Sequence, residues 1–264
     1  MTAARSLSVR ASMHSVLVYH TISAPPEPLP GDIDISRERF ARQLHWLCRW
    51  RQVKRLDETL SDARASVAIT FDDGYRDNLT VALPLLEKFR LPMTLFVAVG
   101  FVGRNGYLSE AELREISKHP LVTVGAHGLW HRHFTRLPTD EARVELVESR
   151  RLLESITGTT VDLMAWPYGE CNAAVEELSK ESGYRAAWSV WQGTNSMYSR
   201  RRVPLGRRDN MIRFIAKVSG VYALTKARWH RVSHTKNGGG LHFDSQLSQS
   251  GVAQNLPPHS KVFD

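Results

Sequence analysis

Three side chains that can bind a metal ion follow two apolar segments of the sequence. Asp73 comes directly after the segment VAITFD, and His127 and His131 follow the segment VTVGA at a spacing of four residues. That spacing brings two imidazoles to one side of a helical or tight turn. One carboxylate and two imidazoles leave positions open for water and substrate, which is typical of a catalytic rather than a structural metal site.

A second carboxylate, Asp72, stands next to Asp73. Two adjacent carboxylates raise each other's pKa unless a cation relieves the repulsion, and a metal ion would supply that cation. Neighbouring side chains of extended backbone point to opposite sides, so one carboxylate can bind the ion while the other faces a substrate. The alternatives are a solvated Asp-Asp-Gly turn at the end of a strand and a histidine pair that serves packing.

The elements that position these residues alternate in type. Apolar, β-branched segments alternate with helical patterns, which predicts βα units around a parallel sheet. Strands are predicted at residues 15–19, 67–71, 93–99, 122–125, 163–166, 185–190 and 202–205. Helices are predicted at residues 37–50, 78–89, 110–119, 140–156 and 173–181. The loops at the carboxyl ends of such strands gather at one mouth of an α/β barrel, where the Asp and His residues are expected to meet.

Composition excludes several protein classes. The 264 residues are 42% hydrophobic and 23% charged, unlike disordered, collagen-like or membrane proteins. The longest nearly apolar stretch, residues 91–103, is shorter than the roughly 20 residues of a transmembrane helix. Two cysteines are too few for a disulfide framework. The first residues contain no apolar region typical of a secretory signal, so a cytoplasmic protein is expected.

Positive charge is concentrated near the C-terminus. The chain carries a net charge of +8, and residues 197–236 contain eleven Lys and Arg residues against one Asp. Residues 210–236 are predicted to form a basic amphipathic helix that either packs on the barrel or lies on an anionic membrane at its inner face. Residues 237–264 are predicted to be a disordered tail. The chain has no nucleic-acid-binding motif, so no nucleic-acid partner is expected.

Three motifs give the chain a family resemblance. They are TFDDGYRDN at residues 70–78, GAHGLWH at residues 125–131 and WPYGE at residues 166–170. With this spacing the chain resembles the polysaccharide deacetylase, or NodB-homology, family of carbohydrate esterases, and a domain is assigned to residues 14–209. The resemblance implies a distorted (β/α)7 barrel and metal-dependent removal of acetyl groups from sugars. The pattern is most similar to the poly-N-acetylglucosamine deacetylase branch, which is associated with exopolysaccharide.

The resemblance also implies roles for individual residues. Asp73, His127 and His131 would hold a divalent ion, for which Zn²⁺ is the first expectation and Co²⁺, Ni²⁺ and Fe²⁺ are alternatives. Asp72 would act as the general base. The ion would lower the pKa of its water and polarise the carbonyl. The backbone N–H of Tyr168 would help to stabilise the oxyanion.

The chain departs from the common family pattern in two places. Most members supply the general acid from a histidine near the C-terminal end of the barrel, and no such motif follows Val190. His20, after the first predicted strand, is therefore predicted to be the general acid, although it could equally stabilise a loop. The arginine that usually pairs with the base is replaced by Ala165, and Arg202 is predicted to take its place.

Aromatic residues near the motifs suggest how a sugar binds. Trp166 and Trp191 are predicted to stack on sugar rings, with Pro167 beside them, while Trp188 is expected to lie in the core. The expected substrate is an N-acetylated glycan or glycolipid of an exopolysaccharide pathway. Two alternatives remain: a catalytically weakened carbohydrate-binding relative, and a hydrolase of a non-sugar C–N bond on the same barrel.

Overall fold

The centre of the protein is a parallel sheet that curves into a nearly closed barrel. The computed structural model describes residues 14–22, 32–62, 64–190 and 196–220. The sheet has the strand order β7-β6-β5-β4-β3-β2-β1-β8. Its strands are β1 (Ser15–Tyr19), β2 (Val67–Phe71), β3 (Met93–Val97), β4 (Val122–Ala126), β5 (Leu163–Ala165), β6 (Ala186–Ser189), β7 (Arg200–Arg201) and β8 (Val203–Pro204).

One extended segment closes the barrel. Strands β7 and β8 are consecutive in sequence and are separated only by Arg202. Strand β7 pairs with β6, and β8 pairs with β1, so residues 200–204 bridge the two edges of the sheet. The backbone N–H of Arg202 itself donates to the carbonyl oxygen of Ser189 at 2.9 Å. The expected seven-stranded, distorted barrel is confirmed, and its seventh strand is this interrupted segment.

Helices cover the outside of the barrel. They are α1 (Arg37–Trp50), α2 (Leu83–Phe89), α3 (Glu110–Ser117), α4 (Thr139–Thr157), α5 (Ala173–Glu181) and α6 (Met211–Val218). Helix α1 begins where the sequence predicts, because the Ser36 side chain accepts a hydrogen bond from the backbone N–H of Arg39 at 3.3 Å. Strands β1 to β6 are almost entirely buried on both faces, as expected for a parallel sheet covered by helices.

The helix predicted at residues 78–89 has two parts. A π-helical turn at Asn78–Ala82 precedes α2. Pro84 has no backbone N–H, so it cannot complete regular i to i−4 hydrogen bonding across this junction. The wider turn contains Asn78, which is fully buried and faces the loop after β1. The irregularity therefore places a polar side chain beside the mouth of the barrel.

The described part of the predicted C-terminal helix packs on the barrel. In α6, Phe214 is buried against Trp46, with ring centroids 5.7 Å apart. The hydroxyl of Ser15 donates to the carbonyl oxygen of Val218 at 2.8 Å, which joins the end of α6 to the start of β1. The rest of the predicted helix and tail, residues 221–264, lies outside the described residues, and the boundary at residue 209 stays a prediction. No described helix has the length and apolar composition needed to span a bilayer.

Candidate active site and metal centre

Two loops at the same end of the sheet bring the predicted metal ligands together. Asp73 follows β2, and His127 and His131 follow β4, with β3 between the two strands. The Nε2 atom of His127 lies 3.5 Å from Asp73 Oδ1, and that of His131 lies 3.3 Å from the same oxygen. All three ligand atoms lie within 4.8 Å of one another. The residues are 54 and 58 positions apart in sequence, yet their ligand atoms share one small volume.

The spacing of these atoms fits a divalent ion. Ligands placed tetrahedrally around Zn²⁺ at about 2.1 Å are separated from each other by about 3.4 Å. The two separations between Asp73 Oδ1 and the histidine Nε2 atoms, 3.5 and 3.3 Å, match that value. Asp73 Oδ1 is buried and has no hydrogen-bond partner among the described residues. A buried carboxylate oxygen without a donor is costly, so the site favours a cation at this position.

The tautomer of His127 also suits metal binding. Its Nδ1 atom lies 2.7 Å from the carbonyl oxygen of Ala165. A carbonyl can only accept, so Nδ1 carries the proton and Nε2 presents its lone pair towards Asp73. Burial lowers the pKa of His127 to about 4, although the nearby charge of Asp72 opposes the shift. The imidazole is therefore neutral at neutral pH, as a metal ligand must be.

Charge couples Asp73 to His131. Burial is the largest influence on Asp73 and alone would raise its pKa, but the charge and hydrogen bond of His131, together with the charges of His20 and His127, hold the pKa well below its usual value. Burial likewise would lower the pKa of His131, and the Asp73 carboxylate reverses that effect and raises it. A proton on His131 and a metal ion therefore compete for the same lone pair.

Three residues of the site have left-handed backbone. Asp73 has φ of 72°, His131 has 54° and Tyr168 has 60°, and they are three of the five non-glycine residues with positive φ in the described chain. Such a conformation costs about 1–2 kcal/mol for an L-residue. The surrounding hydrogen bonds must offset this cost, and strain of this kind concentrates at functional sites.

Arg202 pairs with the second carboxylate, Asp72. Its two terminal nitrogens lie 2.7 Å and 2.8 Å from the two oxygens of Asp72, which is a bidentate ion pair. Both side chains are buried. Burial raises the pKa of Asp72, but the charges of Arg202 and then His127 outweigh it, and the net shift is downward. The pairing suggested by the sequence is present, and Asp72 is anionic at neutral pH.

The loop that carries His20 is held by residues of the TFDDGYRDN motif. The side-chain amide of Asn78 donates to the carbonyl oxygen of His20 at 2.8 Å. Asp77 Oδ2 accepts from the backbone N–H of Ile22 at 2.9 Å and from the hydroxyl of Thr21. The Nδ1 atom of His20 is buried without a hydrogen-bond partner among the described residues. Sequence reasoning missed Asp77 and Asn78, although the motif itself contains both.

The loop that carries His131 is held by Glu145 of α4, which sequence reasoning also missed. Glu145 is 2% exposed, and its Oε2 accepts from the backbone N–H groups of Leu129 and Trp130 at 2.8 and 2.9 Å. Burial raises its pKa despite these two hydrogen bonds. Gly128, at φ of 75°, lets the chain turn next to this carboxylate. The available signal was an acidic residue on the core-facing side of a predicted helix.

The prediction that Trp166 stacks on sugar is wrong. Its side chain is fully buried, packs edge-to-face on Phe134 and donates from Nε1 to the carbonyl oxygen of Tyr198 at 2.8 Å. The ring points into the core because the backbone N–H of Trp166 still pairs with Trp188 at the end of the sheet. Pro167 is buried as well, Trp188 lies in the core as expected, and Trp191 lies outside the described residues.

Tyr168 does border the cluster. Its half-buried ring contacts His131 edge-to-face with centroids 4.6 Å apart, and it stacks on His133 at 3.6 Å. His133 Nδ1 lies 3.3 Å from a carboxylate oxygen of Glu170. Tyr168 therefore forms one wall of the mouth beside the metal-binding residues, and its role in binding substrate stays a prediction.

Comparison with known proteins decides the family. The sequence model of the family "Polysaccharide deacetylase" matches residues 60–187, which include the Asp and His residues described above. Residues 60–187 of the protein form a polysaccharide deacetylase domain. The resemblance seen in the sequence motifs is thereby confirmed, and so is the expectation of a hydrolase with the NodB-type barrel.

Individual relatives agree with this assignment. The chain is 24% identical over 200 residues to YxkH of Bacillus subtilis, covering 71% of this chain and 70% of that one. It is 27% identical over 173 residues to the poly-β-1,6-N-acetyl-D-glucosamine N-deacetylase of Escherichia coli, covering 48% of this chain and 25% of the relative. The crystal structure of BC0361, a polysaccharide deacetylase from Bacillus cereus, has the same fold, with a TM-score of 0.66 and 22% identity over 78% of this chain and 68% of that one.

A first prediction concerns metal binding. We expect Asp73→Asn to lower the affinity for Zn²⁺ by more than about 100-fold, beyond the effect expected for a supporting residue. Affinity in the wild-type protein should also fall as the pH decreases through the raised pKa of His131, because the protonated imidazole cannot bind. Competition with a chromophoric chelator measures both effects. His119→Gln, on the surface, is the matched control, and equal affinity in both variants would contradict the assignment.

A second prediction concerns Glu145. Glu145→Ala leaves two backbone N–H groups without an acceptor, so the free energy of unfolding should fall by about 1–3 kcal/mol. Metal affinity should fall by about 10–100-fold because the loop no longer fixes His131. Glu145→Gln keeps an acceptor oxygen and should retain most of both. Urea unfolding and the chelator competition provide the measurements. A loss of stability without any loss of metal affinity would show that Glu145 does not position His131.

Proposed function

We propose that the protein is a metal-dependent deacetylase that acts on an N-acetylated glycan or glycolipid. The observation that carries the proposal is the arrangement of two adjacent buried carboxylates, one facing two imidazoles and the other paired with Arg202. Two consecutive residues thus have different roles, since Asp73 can bind a metal ion and Asp72 can act as a base. The Escherichia coli relative, named for deacetylation of poly-β-1,6-N-acetyl-D-glucosamine, supports the substrate class.

The metal-binding residues in this proposal are Asp73, His127 and His131. Zn²⁺ is the proposed ion, and the same donor set also accepts Co²⁺, Ni²⁺ or Fe²⁺. When bound, a divalent ion polarises the substrate carbonyl and lowers the pKa of a water molecule towards neutrality. The protein holds the three donors in place through the hydrogen bond from His127 to Ala165 and through the contacts of Glu145 with the histidine loop.

Proton transfer and stabilisation of the oxyanion are proposed to depend on other residues at the mouth of the barrel. Asp72 accepts a proton from the attacking water, since its lowered pKa keeps it ionised at neutral pH. Arg202 fixes the orientation of Asp72 through both oxygens. The backbone N–H of Tyr168 is proposed to stabilise the oxyanion. His20 is proposed to donate a proton to the departing amine, and its loop is fixed at the mouth by Asn78.

A catalytically weakened carbohydrate-binding relative is the main alternative. The absence of an arginine at Ala165 first suggested it, because a base without a cationic partner is poorly oriented. Arg202 lies within hydrogen-bond distance of both oxygens of Asp72 and supplies that partner from the last strand instead. This contact favours a working base and therefore an active enzyme. A location in the cytoplasm, at the inner face of the membrane, stays a prediction.

The proposal is tested by acetate release. The full chain loaded with Zn²⁺ should release acetate from N-acetylglucosamine oligomers or from lipid-linked N-acetylated precursors, and a chelator should abolish the release. Asp72→Asn should lower kcat by about 100-fold to 10,000-fold, as expected for loss of a general base. Asp162→Asn, on the surface, serves as the matched control. Turnover that survives chelation would contradict the metal-dependent mechanism, and glycan binding without acetate release would favour the carbohydrate-binding alternative.

A further prediction separates the base from its partner. In Arg202→Met, burial still raises the pKa of Asp72 while the opposing charge is lost, so the acid limb of the pH profile of kcat/KM should move to higher pH by about 1–3 units. Arg202→Lys keeps the charge and should shift the limb less. Steady-state rates across the pH range measure the shift. An unchanged limb in Arg202→Met would show that Asp72 is not the base.

A further inference from the structure

A groove between α1 and α6 combines exposed apolar and basic side chains. It is lined on α1 by Arg42, Trp46, Arg49 and Trp50, and on α6 by Met211. Ile212 is the next residue of α6 and points away from the core. We call this surface the α1–α6 face. It contains none of the residues assigned above to metal binding or catalysis.

The apolar part of this face is unusually exposed. Trp50 is 59% exposed and Ile212 is 79% exposed, and they are two of the five exposed large hydrophobic residues in the described chain. Their helix neighbours Leu47 and Phe214 are fully buried, so each helix uses a separate side for the core. Exposed apolar side chains beside a groove are typical of a surface that meets another molecule or a membrane.

The basic part of the face forms no close ion pair within the described chain, although the charge of Arg42 acts on Glu38, one turn away on α1. Arg42, Arg49 and Arg213 are exposed, and no described carboxylate lies within ion-pair distance of any of them. The guanidinium of Arg49 lies over the ring of Trp50, 5.3 Å from its centroid. No acidic side chain lines the groove. The face therefore presents an excess of positive charge around its exposed apolar residues.

We propose that the α1–α6 face docks on the surface of an anionic lipid bilayer. Trp50 and Ile212 enter the interface between headgroups and acyl chains, a position that indole rings favour. Arg42, Arg49 and Arg213 bind lipid phosphates, and their aliphatic stems lie along the apolar surface. A nucleic acid would use the same charges, but it offers no apolar layer for Trp50 and Ile212. The bilayer matches both parts of the face.

This docking is independent of the chemistry at the mouth of the barrel. It needs neither a metal ion nor catalytic turnover, so it can hold or fail whatever the outcome of the acetate assay. It also differs from docking through residues 221–264, whose basic residues belong to a different part of the chain. The test must therefore separate the α1–α6 face from that segment.

The first experiment places a probe on the face. The background is Cys48→Ser, and Cys171 is buried, so a cysteine introduced as His45→Cys can be labelled selectively with an environment-sensitive fluorophore. His45 is exposed and lines the groove. We expect a blue shift on adding vesicles that contain phosphatidylglycerol and none with pure phosphatidylcholine. The same label at Val144→Cys, an exposed position on α4, should not shift.

The second experiment measures binding of full-length variants to the same vesicles by co-sedimentation. Loss of each basic residue should lower partitioning about fivefold, so Arg42→Glu combined with Arg49→Glu should lower it at least about 25-fold. Trp50→Ala combined with Ile212→Ser should also lower it about tenfold. Val144→Ser combined with Val147→Ser, which removes two other exposed apolar groups (54% and 42% exposed) from α4, is the matched control and should bind as the wild type does.

Four results would overturn the proposal. Unchanged vesicle binding in both groove variants would assign docking to residues outside the face. A blue-shifted label before vesicles are added, with no further change, would show that another segment of the chain covers the groove. A dimer in sedimentation that Trp50→Ala dissociates would make the face a self-interface. Binding to duplex DNA as tight as binding to vesicles at physiological salt would assign the charges to a nucleic acid.

Discussion

Two ionised carboxylates sit next to each other in the interior of the barrel, and the rest of the site compensates for them. Asp72 is 3% exposed and Asp73 is 7% exposed. Burial of either charge is unfavourable unless positive charge and hydrogen bonds surround it. The protein meets this requirement differently on the two residues. Asp72 receives a permanent guanidinium, whereas Asp73 receives two imidazoles, which are cationic only when protonated and otherwise leave room for a metal ion.

This difference gives the two carboxylates different roles, Asp72 as an ionised base and Asp73 as a metal-binding group. A guanidinium stays charged at every accessible pH, so it keeps Asp72 ionised and oriented. An imidazole whose Nδ1 is fixed by a backbone carbonyl presents a lone pair instead, as His127 does. The supporting contacts of Glu145 and Asn78 lie one layer further out and act on backbone rather than on ligand atoms. Rigid backbone around strained residues is what keeps the ligand atoms close together.

Much of the fold and of the candidate site was predictable from the sequence. Strands 15–19 and 67–71 and helices 37–50 and 173–181 have the predicted bounds, since alternation of apolar segments and clear capping residues mark their ends. The grouping of Asp73 with the two histidines followed from motifs at strand ends. The prediction that Trp166 stacks on sugar was wrong because the sequence does not show which way a side chain turns after a strand. Glu145 and Asp77 were missed because each accepts from backbone N–H of a distant loop, and spacing in the sequence does not show which loop lies beside a carboxylate.

The interrupted seventh strand ties closure of the barrel to neutralisation of its buried base. Residues 200–204 are the last strand in chain order, and they both join the two edges of the sheet and carry the guanidinium that neutralises Asp72. Until this segment docks, the nascent barrel is open on one side and an acidic group lies unpaired at its centre. Closure of the barrel and neutralisation of Asp72 therefore depend on the same segment. A chain that lacks its final strand has neither.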